Sequence, residues 1–309
     1  MLTFFEKKCR KSVFFTKKYI FLRSLRGKLH NSDIFCIFAG QMEKSILLRG
    51  QLMDFSRPRV MAILNLSLDS FYTSCSVASE ADFLLHVEQL LRDGADWIDL
   101  GACSTRPDSQ PVSAKQEWEL LNRGIEMIRL HWSNVPISVD TFRREIAEQA
   151  LLCGVDMIND VYANEDMWDV IARHHMPYVL TFSREMKMQN TLLEETLHFL
   201  QEKLDVLHRK GIADVIVDPG FGFGKTQLQN YELLRHLDLL QVLHAPILVG
   251  ISRKSMLYKP LETTPDDVLP ATIAAHTLAL ERGADILRVH DVKAAVQAIR
   301  IHQLTHNKF

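Results

Sequence analysis

The sequence contains no run of about 18 consecutive apolar residues, the length that an α-helix needs to cross a bilayer. It also has no excess of one charge, because 36 basic and 38 acidic residues leave a formal net charge of −2. This balance provides no general attraction to nucleic acid or to an acidic membrane surface. We therefore expect no nucleic-acid or membrane partner, and any anion site must be local.

Cysteine is scarce: the five cysteines are odd in number and widely spaced, and no Cys-x-x-Cys pair occurs. This pattern argues against a disulfide framework and against a zinc site. It favours a reducing compartment, since structural disulfides accumulate in oxidising ones. We predict a cytoplasmic protein.

Acidic residues are nearly missing from the first 41 positions, where Glu6 and Asp33 stand among many Phe, Lys and Arg. Lysines interrupt the apolar stretches, which argues against a secretory signal peptide. A basic, acid-poor start also fits an organellar transit peptide, and the plainer interpretation is an upstream extension before a true start at Met42. We predict that residues 1–41 are not part of the fold and that residues 42–309 form one domain.

From about residue 58 onward, one unit recurs: a helical stretch, a small turn, and a short apolar strand ending in polar residues. Four joints between units are alike: GADWIDLG (94–101), GVDMINDV (154–161), GIADVIVDPG (211–220) and GADILRVHD (283–291). Each has a glycine where a helix would end in a left-handed residue. Strands that are apolar on both faces and alternate with helices indicate a parallel sheet covered by helices.

Eight such strands are predicted, and eight strand–helix units in this length are typical of a (β/α)8 (TIM) barrel in the α/β class. The predicted strands are 59–65, 97–101, 136–140, 157–161, 177–182, 214–218, 246–251 and 285–290. The helix predicted between the sixth and seventh of these strands spans residues 227–242. A doubly wound open sheet is the alternative, but it would need a GxGxxG turn after the first strand, where this chain has NLSLDSF. For residues 44–57 we predict a short β-hairpin, which turns at Arg49-Gly50 and covers the amino-terminal mouth of the barrel.

Polar residues end the predicted strands, and in a barrel these positions converge on the rim that carries catalysis. They are Asn65, Asp99, Asp140, Asn159, Thr181, Asp218, Lys254, Arg288 and His290. An Asp after a strand is often only a helix cap, which is our interpretation of Asp160 and Asp291. Burying so many polar groups together is costly unless they pair or meet a ligand. The pattern therefore predicts a binding site.

The residue types on this rim indicate the ligand. Asp140, Asn159 and Asp218 offer acceptors and amides suited to a flat heterocycle with NH and NH2 edges. A second group is cationic or hydroxylic and suits phosphate. Its members are Thr105, Arg106, Lys254, Arg288 and His290. Asn65 could hold Mg2+ that bridges phosphate oxygens, so we expect a polar heterocycle carrying a phosphate or pyrophosphate.

The glycine-rich segment DPGFGFGKT (218–226) looks like a P-loop, but Pro219 stands where that motif requires glycine. Its glycines predict a tight turn over the barrel mouth instead. Phe221 or Phe223 could then form the wall of a pocket for an aromatic co-substrate, and a core role for one of them is the other interpretation.

Together these motifs resemble those of the dihydropteroate synthases. The matching stretches are ILNLSLDSF (63–71), IDLGACSTRPDSQPVS (98–113), ISVDT (137–141), INDV (158–161), DPGFGFGK (218–225), GISRKSM (250–256) and RVHDV (288–292). They lie in the family's order over nearly all of residues 58–304. The resemblance implies a TIM-barrel transferase of folate biosynthesis that joins 7,8-dihydropterin-6-ylmethyl pyrophosphate to 4-aminobenzoate and releases pyrophosphate. It also implies a homodimer and inhibition by sulfonamides.

The resemblance further implies roles for single residues. Those that would hold the pterin are Asp140, Asn159, Asp218 and Lys254. Those that would hold the pyrophosphate, with Mg2+, are Asn65, Thr105, Arg288 and His290. Those that would shape the aminobenzoate pocket are Phe223, Lys254 and the loop of Arg106. The catalytic set would be Asp140, Asp218, Lys254, Arg288 and His290.

The first loop departs from the family's pattern, since Leu68 replaces the usual proline and Thr73 the usual aspartate. Both changes concern closure of the loops over aminobenzoate, whereas the residues that would bind pterin and pyrophosphate are present. We therefore expect an active enzyme. One alternative is a pterin-binding pseudoenzyme, which would bind pterin pyrophosphate without turnover. Another is a methyltetrahydrofolate:corrinoid methyltransferase-like domain, which should lack the SRKSM and RVHDV groups.

Overall fold

The computed structural model describes residues 44–66, 77–102, 112–183 and 191–306. Two short strands come first, β1 (Ser45–Leu48) and β2 (Gln51–Asp54). The strands that follow are β3 (Arg59–Asn65), β4 (Trp97–Gly101), β5 (Ile137–Asp140), β6 (Met157–Asp160), β7 (Tyr178–Thr181), β8 (Val215–Asp218), β9 (Leu248–Val249) and β10 (Ile286–Val289). The strands from β3 onward lie within or at the bounds of the eight predicted strands.

Helices alternate with these strands. They are α1 (Val77–Arg92), α2 (Ala114–His131), α3 (Arg144–Leu152), α4 (Trp168–His174), α5 (Leu192–Arg209), α6 (Gln227–Arg235), α7 (Ser255–Tyr258), α8 (Leu269–Glu281) and α9 (Val292–Thr305). Capping boxes at Ser113, Thr191 and Thr226 start α2, α5 and α6, because each hydroxyl accepts from the backbone N–H three residues on. Of the described helices, none is long and apolar enough to span a membrane.

The eight strands from β3 to β10 form one parallel sheet in the order β8-β7-β6-β5-β4-β3-β10-β9. A parallel bridge between Val217 of β8 and Ile247, just before β9, joins the two edges. The sheet therefore closes into the predicted barrel, which is confirmed, and the open doubly wound sheet is excluded.

The predicted hairpin is also confirmed: β1 and β2 pair antiparallel around Arg49 and Gly50. Its apolar side chains close the amino-terminal mouth of the barrel by packing against the first residues of the strands. This plug consists of Ile46, Leu48, Phe55, Met61, Trp97, Met157, Val179, Ile216, Leu248 and Ile286. Ile46 is 1 % exposed, so the hairpin is part of the core rather than an appendage.

An aspartate just before each of four strands connects neighbouring strands at this end of the barrel. Asp96, Asp156 and Asp285 each accept a 2.8 Å hydrogen bond from a backbone N–H of the neighbouring strand segment. Asp214 accepts from the backbone N–H of Leu47 in β1. The aspartate that recurs in the four joints therefore satisfies backbone donors at the strand starts, where the sheet ladder does not reach them.

Two local predictions need correction. The helix predicted over 227–242 is two pieces, because α6 ends at Arg235 and a 3-10 helix runs from Leu237 to Leu243. The short helix α7, directly after Lys254, was not predicted. The prediction for residues 1–41 concerns a part of the chain outside the described residues.

Replacing Asp156 by Asn tests the role of the basal aspartates. Asp156 accepts from the Ile137 N–H and pairs with Arg129 at 2.6 Å and Arg49 at 3.0 Å, so Asp156→Asn removes the charge that both guanidinium groups face. We expect the free energy of unfolding to fall by about 2–4 kcal/mol in urea denaturation.

Asp205→Asn is the matched control, because Asp205 lies exposed on α5 and, within the described part of the chain, accepts only a helix-surface bond from Gln201. Its effect should stay within about 0.5 kcal/mol. Equal losses in the two variants would contradict the structural role of Asp156.

Candidate active site

At the carboxyl end of the barrel, Asp99 of β4 is the centre of a buried polar network. Its side chain is fully buried and accepts hydrogen bonds from the Ser138 hydroxyl, from Asn159 Nδ2 at 3.0 Å and from Arg288 Nε at 2.6 Å. Because these partners come from β5, β6 and β10, the network ties four strands together just beneath the rim. Sequence analysis placed Asp99 at a strand end but gave it no role.

Arg288 lies between two carboxylates. Its Nε donates to Asp99 and its Nη2 donates to Asp140 Oδ2, both at 2.6 Å. Burial opposes the charge, yet Asp99 and Asp140 together raise the pKa of Arg288. Arg288 Nη1 donates no hydrogen bond to any of the described residues. The guanidinium is therefore fixed by two of its nitrogens, and the third can donate to a ligand.

Asp140 and Asn65 flank the same point of the rim. A methyl group built on Gly101 would lie 3.3 Å from Asn65 Oδ1 and 3.6 Å from Asp140 Cβ. Burial raises the pKa of Asp140 to about 7, against the opposing effect of Arg288. The amide oxygen of Asn65 is a hard donor beside this carboxylate, and such donors are the kind that Mg2+ takes from proteins. The residues present therefore fit a magnesium ion.

Across the rim, Asp218 and Lys254 converge above Gly250. A methyl group on Gly250 would lie 3.8 Å from Asp218 Oδ2 and 4.0 Å from Lys254 Nζ. Asp218 Oδ1 accepts from the Gly220 N–H at 2.7 Å, which leaves Oδ2 directed at this space. Burial raises the pKa of Asp218, and burial lowers the pKa of Lys254 to about 8. Each group therefore favours its charged form chiefly through the other.

The glycine-rich loop after β8 folds over these two residues. Phe221 is fully buried in the core, whereas Phe223 is partly exposed and its ring centroid lies 4.5 Å from Lys254 Nζ. Lys254 also donates to the Phe221 carbonyl oxygen. Of the two alternatives left open by the sequence, Phe221 has the core role and Phe223 lies beside the site.

Lys225, which sequence analysis did not single out, fastens this loop from within. Its Nζ donates to the carbonyl oxygens of Phe182 at 2.9 Å, Gly220 at 2.7 Å and Phe223 at 3.1 Å. Burial lowers its pKa to about 7. In the motif Lys225 looks like a phosphate-binding lysine, but its geometry is that of a cross-link between the loop and the end of β7.

The last two elements of the rim bring His290 and Ser252 together. His290 Nδ1 lies 3.1 Å from the Ser252 hydroxyl, which also accepts from the His290 backbone N–H. Arg253 forms a two-bond pair with Asp291, at 2.9 and 2.7 Å. Asp291 does occupy the N-cap position of α9, but its side chain makes no cap hydrogen bond and accepts from Arg253 through both oxygens instead. Asp160 is not a helix cap either: it accepts from the backbone N–H groups of Tyr162 and Asn164 in the following turn, and Asn164 is the residue that caps the next helical segment.

The structure thus gathers most of the predicted site residues on one rim. They are Asn65, Asp140, Asn159, Asp218, Phe223, Lys254, Arg288 and His290. Thr105 and Arg106 fall outside the described residues, as do Leu68 and Thr73 of the first loop. The roles assigned to single residues stay predictions.

Comparison with known proteins bears directly on this site. A family described as pterin binding enzyme matches residues 61–290. The dihydropteroate synthase of Bacillus subtilis is 35 % identical over 254 residues, covering 81 % of this chain and 89 % of the relative. The chain belongs to the dihydropteroate synthase family. The recognition made from its motifs is confirmed.

Solved structures of the family have the same fold. The enzyme of Xanthomonas albilineans, solved with 4-aminobenzoic acid, matches with a TM-score of 0.79 and 34 % identity over 86 % of this chain and 99 % of that one. The Yersinia pestis enzyme, solved as a sulfonamide drug complex, matches with a TM-score of 0.78 and 32 % identity over 85 % and 99 %. The described residues therefore share the fold of these solved structures.

Gly220→Ala tests whether the loop must approach β7 as closely as it does. Gly220 has φ +70°, and an added Cβ would lie 1.9 Å from the Phe182 carbonyl oxygen, so the loop must shift. We expect a loss of about 3 kcal/mol or more in the free energy of unfolding, measured by urea denaturation.

Gly250→Ala is the control within the same site, because its Cβ would meet nothing closer than 3.8 Å. Its stability should stay within about 1 kcal/mol of wild type. A Gly220→Ala variant as stable as Gly250→Ala would show that the loop does not need this contact.

Proposed function

We propose that this chain is an active dihydropteroate synthase. It joins 7,8-dihydropterin-6-ylmethyl pyrophosphate to 4-aminobenzoate and forms dihydropteroate and pyrophosphate. The observation that carries this proposal is the combination of side chains on the rim. Two carboxylates, Asp140 and Asp218, lie beside the nitrogen-bearing side chains of Arg288 and Lys254, and His290 lies on the same rim. Family membership supports the same conclusion.

The carboxylates and amide supply the pterin subsite. Asp218 Oδ2 is directed into the site while Oδ1 is held by the loop, so one oxygen of a fixed carboxylate can accept from the pterin NH and NH2 edge. Asn159, whose Nδ2 is committed to Asp99, presents its amide oxygen as a further acceptor. An acceptor-rich wall of this kind selects a heterocycle with several donors.

The cations supply the pyrophosphate subsite. Arg288 is already oriented by Asp99 and Asp140, so it need not reorganise as charge builds on the departing oxygen. His290, positioned by Ser252, and Lys254 add donors on the neighbouring strands. We propose that Asn65 holds Mg2+, which when bound would neutralise phosphate charge. The electron-rich dihydropterin can then stabilise a cation at its exocyclic methylene, with Asp218 nearby.

The second half-reaction needs little from the protein beyond placement. After the pyrophosphate has left, the amine of 4-aminobenzoate attacks the methylene cation and then loses a proton, so no protein nucleophile is required. Phe223 and Lys254 lie together at the edge of the site, where a ring and a carboxylate can be accommodated. The Xanthomonas enzyme solved with 4-aminobenzoic acid and the Yersinia enzyme solved with a sulfonamide support an aminobenzoate pocket open to sulfonamides here.

Two rival functions differ in what they need at the rim. A corrinoid methyltransferase-like domain has no need for a pyrophosphate subsite, and here Lys254, Arg288 and His290 are all in place. A pseudoenzyme would rest on the changed first loop at Leu68 and Thr73.

We also propose a homodimer, in keeping with the family, and a cytoplasmic location, in keeping with the cysteine pattern.

Product formation is the direct test. The full-length chain, mixed with dihydropterin pyrophosphate, 4-aminobenzoate and Mg2+, should form dihydropteroate, and chromatography measures this product. EDTA should suppress the product because the pyrophosphate would lose its counter-ion, and a sulfonamide should suppress it by competing with aminobenzoate. Tight binding of pterin pyrophosphate without any product would instead establish the pseudoenzyme.

A further inference from the structure

Three side chains with metal-binding chemistry meet far from the rim, at the opposite end of the barrel. Glu281 is the last residue of α8, and His302 and His306 lie one turn apart at the end of α9. One carboxylate oxygen and one ring nitrogen from each histidine all lie within 4.8 Å of one another. Since α8 and α9 run antiparallel to the strands, their carboxyl ends lie at the plugged mouth, away from the catalytic groups.

The carboxylate lies beside both imidazoles, whose ring centroids are 4.4 Å apart. Glu281 Oε1 is 3.9 Å from His302 Nε2, and Glu281 Oε2 is 3.6 Å from His306 Nε2. Tetrahedral zinc, with bonds of about 2.0–2.2 Å, places its ligand atoms roughly 3.3 Å apart. The two Glu–His distances exceed this value by 0.3–0.6 Å and the whole set lies within 4.8 Å, so side-chain rotations would have to draw the three atoms together around one ion.

The surroundings of His306 suit a metal ligand. His306 Nδ1 lies 2.9 Å from the backbone carbonyl oxygen of His302, to which it can donate, and 3.1 Å from the Thr305 hydroxyl. In the tautomer that donates to this carbonyl, Nε2 carries the lone pair on the side of Glu281. A ring N–H held by a backbone carbonyl is the usual outer-shell arrangement of metal-bound histidine.

The electrostatics of the place also favour a cation. The carboxyl ends of α8 and α9 converge here, and each helix end carries a partial negative charge. The side chains of Glu281, His302 and His306 are 46 %, 10 % and 41 % exposed, so an ion would be reached from solvent and would keep room for water. Two imidazoles with one carboxylate suit zinc and its neighbours rather than magnesium or calcium.

We propose that Glu281, His302 and His306 bind one divalent transition-metal ion of the zinc class per chain, with water completing the coordination. The ion would cross-link the last helix, α9, to α8. Its role would be structural, because the catalytic rim lies at the other end of the barrel. Cysteine spacing gave no sign of this site, since none of its ligands is a cysteine.

The test is calorimetric titration of Zn2+ into EDTA-treated, dialysed full-length protein in the presence of millimolar Mg2+, which occupies oxygen-only sites. Wild type should bind one ion per chain. His306→Gln and Glu281→Gln should each weaken binding by at least about tenfold, since even the loss of an outer-shell partner costs that much. Circular dichroism spectra would establish that both variants fold.

His198→Gln is the matched control. His198 and Glu202 also form an exposed i,i+4 pair, 3.8 Å apart, but with a single imidazole. Zn2+ should raise the melting temperature of wild type and of His198→Gln, but not of His306→Gln, because only a bound folded state is stabilised. No binding at one ion per chain, or equal binding by wild type and His306→Gln, would overturn the proposal.

Discussion

The arrangement of the catalytic rim depends on the pairing of charges that are largely removed from water. Arg288 is held by Asp99 and Asp140, and Lys254 is held near Asp218, so each buried charge has an opposite partner. An unpaired charge at such depth would cost several kcal/mol. The pairs therefore stabilise one another, and they keep a set of donors and acceptors oriented before substrate arrives. This preorganisation is what a reaction driven by electrostatics needs.

The two ends of the barrel use the same residue type for different purposes. At the plugged end, aspartates such as Asp156 accept hydrogen bonds from backbone N–H groups and from arginine side chains. These bonds use both oxygens of the carboxylate and hold neighbouring strand starts together. At the open end, Asp140 accepts from Arg288 and Asp218 accepts from the Gly220 N–H through one oxygen, so each has a second oxygen that can accept from a ligand. The same residue type thus completes backbone hydrogen bonding at one end of the barrel and offers acceptors to a ligand at the other.

Much of the fold could be predicted because the strand–helix unit repeats, and the convergence of strand-end residues then followed from the barrel itself. The sequence could not assign Asp99 its central role, since its partners come from strands far apart in the chain. Lys225 was missed for a similar reason: its three carbonyl partners are defined by how the loop folds. The break after Arg235 was also missed, because apolar residues continue beyond it.

The central claim is that a preset Arg288 guanidinium stabilises the departing pyrophosphate. The most direct measurement is the kcat/KM of Arg288→Lys for pterin pyrophosphate. Lysine keeps the charge but cannot donate to Asp99 and Asp140 together while also keeping a directed donor for the ligand. The account predicts a folded variant whose kcat/KM falls by about 100-fold or more. A kcat/KM within about threefold of wild type would contradict it.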